Sequence, residues 1–210
     1  MNTENQQRNP VILVHGIDDT EAVFHKMRAY LIQRDWSVYS LNLVPNNGDV
    51  GLDELAKQLA DYVTTTFAPE QHLDLVGFSM GGIVSRYYVQ RLGGINRVQR
   101  FITISSPHHG TLVAYGSRRP GCVQMRPDSI FLKDLNSDAV ILEQLNFTSI
   151  WTPYDLMIVP ANSSQMPVGS EAIVTVALHP WMLTDSRSLA VITTVLAERI
   201  KLPFLKKASS

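Results

Sequence analysis

Residues 72–82 read "HLDLVGFSMGG". Leu73 to Phe78 is a short, almost continuous apolar run, the pattern of a strand buried on both faces. Ser79 ends it. Gly77 lies two residues before the serine and Gly81 two after, with Gly82 next. Residues 80–92 then read as a helix stopped by Gly93-Gly94. A strand that turns at once into a helix needs small residues around the turn, because the backbone is crowded there. The turn lifts the serine above the sheet and sets it at a helix N-terminus, where free N–H groups favour developing negative charge. The bare G-x-S-x-G pattern arises by chance in roughly one chain in fifteen of this length. Its position at the end of an apolar strand is therefore what makes Ser79 a candidate nucleophile.

Outward from this turn the chain alternates between two periodicities. Strands are expected at 11–16, 37–43, 72–78, 98–106, 147–151 and 172–178. Helices are expected at 20–35, with Thr20 as N-cap, and at 51–66, with Asp49 as cap. Two more are expected at 128–145 and 186–200. Strand–helix–strand units of this length imply right-handed crossovers. The fold class is α/β: a mostly parallel central sheet of about six strands, helices on both faces, and a short cap segment. That cap is 107–127, which interrupts the rhythm with Pro107, Gly110, Gly116, Pro120, Gly121 and Pro127.

The chain has 210 residues, 45% hydrophobic and 18% charged, with net charge −1. That suits a single domain over 1–210, with residues 9–202 as folded core. The balance excludes a basic nucleic-acid surface and an acidic tail. The one cysteine, Cys122, cannot form an internal disulfide. The N-terminal "MNTENQQRNP" has no apolar run of a signal peptide, and no 18-residue apolar stretch occurs. A cytoplasmic protein is expected. The tail "KLPFLKKASS", with Leu202, Phe204 and Leu205, offers a weak contact for an anionic membrane surface, and a solvated chain end is the plainer reading. The oligomeric state is open.

A serine nucleophile needs a base. Six histidines compete: His15, His25, His72, His108, His109 and His179. The base belongs at the carboxyl edge of the sheet, beside the serine. His25 is mid-helix and His72 precedes its strand, so both fall away. No histidine has metal-ligand spacing, and neither metal nor organic cofactor is expected.

The segments "VILVHGI", "LDLVGFSMGGIVSRYYV", "SSPHHGT", "SIWTPYDLMIVP" and "ALHPWML" together resemble the α/β-hydrolase superfamily, in particular small bacterial triacylglycerol lipases and carboxylesterases. The resemblance runs from about Pro10 to Ile200. It implies the chain order serine, acid, histidine, and hence the triad Ser79, Asp155 and His179. Asp134 and Asp138 sit on an expected helix, and Asp185 follows His179 and breaks the order. The H-G-x loop implies the Ile17 amide as one oxyanion donor, with Met80 as the other. It also turns His108 and His109 from rival bases into groups that order the loop beside the site. An apolar cleft is expected, with Leu112, Val113, Trp181 and Met182 binding substrate. The implied activity is hydrolysis of carboxylic esters of fatty acids, on acylglycerols or other lipid esters. A thioesterase or acyltransferase with the same triad, or an inactive binding module of this fold, are the alternatives.

Overall fold

The computed structural model describes residues 8–201. The expected membrane contact at Leu202, Phe204 and Leu205 lies outside the described residues. Six strands form one parallel sheet: β1 (Val11–Val14), β2 (Val38–Leu41), β3 (Leu73–Phe78), β4 (Val98–Ile104), β5 (Asn146–Trp151) and β6 (Ser170–Ile173). Their order is β2-β1-β3-β4-β5-β6. The fold is that of the α/β-hydrolases.

Alternation along β1 builds two cores. Ile12 and Val14 join the cluster on one face, with Leu52, Leu55, Ala56, Leu59 and Val63 of α2 (Leu52–Thr66) and Ile83 and Val84 of α3 (Met80–Arg91). Val11 and Leu13 face the other way. They meet Met27 and Leu31 of α1 (His25–Ile32) and Leu189, Ile192, Val195 and Leu196 of α6 (Ser186–Leu196). β3 and β5 are buried at every residue, whereas the edge strand β6 is mostly exposed. A strand with helices over both faces cannot alternate, which is why the inner strands read as continuous apolar runs.

Element ends differ from the sequence reading where tertiary hydrogen bonds take over. The helix expected from Thr20 begins as a 3-10 turn, Glu21–Phe24, and the Thr20 side chain makes no cap bond. Gly51, not Asp49, precedes α2. The Leu52 amide donates to Gln124 Oε1, at 2.5 Å, from α4 (Pro120–Gln124), while Asp49 pairs with Arg119 at 3.1 Å. The expected helix 128–145 divides into α5 (Ile130–Ser137) and a 3-10 turn, Ala139–Gln144. It breaks because Arg86 Nη2 and Gln90 Nε2 both donate to the Leu135 carbonyl near its C-terminus, each at 2.8 Å. β6 stops at Ile173, not at 178, and α6 stops at Leu196.

Candidate active site

The strand order decides what meets at the carboxyl edge. β1 and β3 are hydrogen-bonded neighbours with Val14 level with Gly77. β2 lies on the far side of β1, so the chain reverses direction across the sheet between β1 and β3, the position where ligands bind in such sheets. The loop after β1 therefore stands beside the turn after β3.

Ser79 occupies that turn with φ 52° and ψ −123°. Its amide donates to the Ile104 carbonyl at 2.8 Å, and its carbonyl accepts from Gly82 at 3.1 Å. The glycines permit the close approach. A Cβ on Gly77 would lie 2.5 Å from Gly82 Cα, and one on Gly81 would overlap the carbonyl oxygens of Val14 and His15. A Cβ on Gly16 would fall 3.2 Å from Ser79 Cβ, which places the β1 loop directly against the serine. The Ile17 and Met80 amides have no hydrogen-bond acceptor among the described residues, as oxyanion donors require. Met80 itself is fully buried, and Ile17 partly so.

Asp155 and His179 come together although they are 24 residues apart. His179 Nδ1 lies 2.7 Å from Asp155 Oδ2, with both side chains nearly enclosed. The other carboxylate oxygen, Oδ1, accepts from the Met157 and Ile158 amides at 2.9 Å each. Burial raises the Asp155 pKa, but the hydrogen bond and charge of His179 and the two amides outweigh it and hold the carboxyl below its ordinary range. An ionised Asp155 fixes the proton on Nδ1 and leaves Nε2 with its lone pair, the state a base needs. The imidazole lies against the Phe78 ring, with centroids 4.7 Å apart. Phe78 immediately precedes Ser79 in the chain.

The other candidates are accounted for. His15 donates from Nδ1 to the Gly16 carbonyl (2.8 Å) and accepts the Leu43 amide at Nε2 (2.9 Å), so both ring nitrogens are engaged in loop structure. Asp134 and Asp138 pair with Arg91. Asp185 caps α6 through the Arg187 amide. His108 is fully buried, with Nδ1 facing Arg86 Nη1 at 3.3 Å and Nε2 on Thr103 Oγ1 at 2.9 Å. Arg86 also reaches Asn136 Oδ1 at 3.0 Å, and Asn136 Nδ2 donates to the His108 carbonyl at 3.0 Å. This group ties α3, the 107–110 loop and α5 together. Arg86 escaped the sequence reading; its place seven residues after Ser79, two turns along the same helix, was the available signal.

Leu112 and Val113 are exposed in the 3-10 turn Leu112–Gly116. That turn is tied to the Asp155 loop, since the Leu112 amide donates to the Val159 carbonyl (2.9 Å) and Thr111 Oγ1 to that of Met157 (2.8 Å). Trp181 is exposed two residues after His179. Met182 corrects the expectation: it is fully buried in the core shared by α1 and α6 and offers a substrate no surface. A groove of about 720 Å³ opens elsewhere, between α3 and the cap, among Tyr87, Tyr115 and Phe131. It contains neither Ser79 nor His179. The candidate site is the edge that holds the strained serine and the paired histidine, and this groove lies apart from it.

A family model described as palmitoyl protein thioesterase matches residues 10–131. The chain belongs to the palmitoyl protein thioesterase family. The matched segment holds Ser79 and the Ile17 loop, and Asp155 and His179 follow it. A triacylglycerol lipase of Pseudarthrobacter phenanthrenivorans is 34% identical over 112 residues, 50% of this chain and 34% of that protein. The chain thus matches about a third of the length of that curated relative. The fold closely resembles the mature lipase BlEst2 of Bacillus licheniformis (TM-score 0.74, 15% identity, 91% of this chain and 93% of that one). It is equally close to Aspergillus fumigatus lipase B (TM-score 0.75, 18% identity, 92% and 53%).

Proposed function

We propose that this chain is a serine hydrolase that cleaves fatty acyl esters through an acyl-enzyme. The observation that carries this reading is the convergence of a positive-φ serine with a buried His179–Asp155 pair at one sheet edge. Ser79 Oγ attacks the acyl carbonyl as Nε2 of His179 takes its proton. The Ile17 and Met80 amides hold the oxyanion. Collapse breaks the carbon–oxygen bond to the alcohol, which leaves with that proton. Water, deprotonated by the same histidine, then releases the acid and restores Ser79. Apolar side chains stand exposed around this edge, among them Leu112, Val113, Leu156, Leu178 and Trp181. Such a rim supports an acyl chain as substrate, as do the lipase relatives. No described helix is long and apolar enough to cross a membrane.

The family match favours a second reading, a thioesterase acting on long-chain acyl thioesters. The triad serves both reactions. Initial rates on p-nitrophenyl butyrate, p-nitrophenyl palmitate and a palmitoyl thioester separate them. We expect ester turnover to exceed thioester turnover, Ser79→Ala and His179→Ala to lower kcat by about 10⁶-fold, and Asp155→Asn by about 10⁴-fold. A faster thioester reaction establishes the second reading. Full activity in His179→Ala refutes the assigned base.

A further inference from the structure

Asp19 stands beside the nucleophile, and neither the triad nor the oxyanion amides call for it. It follows the Gly16–Ile17 turn after β1 and is half-buried. Its Oδ2 lies 3.0 Å from the point where a side chain on Gly16 would begin, and Ser79 Cβ lies 3.2 Å from the same point. The carboxylate and the serine therefore border one small space beside the nucleophile candidate. Asn46 Nδ2 anchors Asp19 through its main-chain oxygen at 2.6 Å, which leaves the carboxylate out of that contact. Among the described residues Asp19 forms no ion pair. The titratable groups that act on it are His15, His179 and Asp18, and the Gly16 amide points toward it. Burial, helped by the charge of Asp18, holds its pKa above the ordinary value, against the pull of the two histidines and that amide.

A half-buried charge with no counter-ion acts strongly on whatever enters next to it. In the transition state the imidazolium and the oxyanion carry opposite signs, so their interactions with Asp19 oppose each other. A net charge on the substrate has no such compensation. We propose that Asp19 is the specificity-determining charge filter of this site, admitting neutral and cationic acyl substrates and disfavouring those with an anion near the scissile carbonyl. The same repulsion acts on the carboxylate product after deacylation and hastens its departure.

The proposal rests on the ester-hydrolase reading, and its test keeps the two apart. Three p-nitrophenyl esters of equal, short acyl length, ending in methyl, carboxylate or trimethylammonium so that the charge lies near the scissile carbonyl, are assayed at pH 8 with wild type, Asp19→Asn and Asp19→Ser, each corrected for its spontaneous hydrolysis. Two variants guard against one that folds poorly, and only ratios of kcat/KM within each protein are compared. The anionic-to-neutral ratio should rise about tenfold in both variants, and the cationic-to-neutral ratio should fall. Both changes should shrink at 1 M salt, because the interaction is Coulombic. Ratios within twofold of wild type in a folded variant overturn the filter, as does loss of all activity in both variants with their melting temperatures unchanged. A wild type inactive on all three esters overturns the hydrolase reading itself, and the filter with it.

Discussion

Ser79 keeps a backbone conformation that costs an ordinary L-residue about 1–3 kcal/mol, and its neighbours compensate by packing and hydrogen bonds at fixed places. His108 shows a comparable compromise. Burial, and then the charge of Arg86, holds its pKa well below the ordinary value of 6.5. The folded protein therefore keeps His108 neutral where an unfolded chain takes up a proton. Above pH 6.5 both states are neutral and stability is full; as pH falls below 6.5 the unfolded state gains a proton that the folded state refuses. The expected loss is up to about 1.4 kcal/mol per pH unit. Urea unfolding between pH 6.5 and 5 should show a slope shallower by about one proton in His108→Gln, and identical slopes would refute the account. Met182 and Trp181 form a second contrast between adjacent residues. Met182→Ala should destabilise by about 2–5 kcal/mol, as burial in a packed core requires. Trp181→Ala should leave the melting temperature unchanged and raise KM for long-chain esters.

At the scale of elements, the β3–α3 turn was legible because its requirements are local. A positive φ, a helix start and two close backbone approaches demand glycines on either side of the turn residue, and the sequence has them. Gly81→Ala tests this: its Cβ would overlap two carbonyl oxygens of the β1 end, neither of which can move without disturbing the Ile17 loop. A loss of about 3 kcal/mol in denaturant unfolding is expected, and a neutral substitution would contradict the packing. The caps were less legible. The α2 N-terminus is satisfied by Gln124, 72 residues away, so the local choice of Asp49 had no bearing. The same holds for the break after α5, which depends on Arg86 and Gln90 of another helix. Of the cap arginines, Arg119 pairs with Asp49 and donates to the Asn47 carbonyl, and Arg126 lies over Tyr115. The Arg119 contacts tie the cap to the loop before α2, whereas the Arg126 contact lies within the cap.

Across the whole molecule, the site exists because of strand order. The Ile17 loop, Ser79, Asp155 and His179 follow β1, β3, β5 and β6, and a parallel sheet presents all four strand ends on one edge. The sequence by itself determined the alternation of apolar strands and helices, the strained serine turn and the chain order of the candidate triad. The first two depend on neighbours within a few residues, or on a pattern that burial on both faces imposes; the chain order is what the resemblance to the hydrolases implies. Only the tertiary structure decided that Asp155 and His179 lie 2.7 Å apart, that Met182 is core and Trp181 surface, and that Asp19 borders Ser79. Those facts depend on which strand ends adjoin and how the loops beyond them fold back. Contacts between residues distant in the chain are set by packing of the whole sheet and its helices, and no local pattern encodes them.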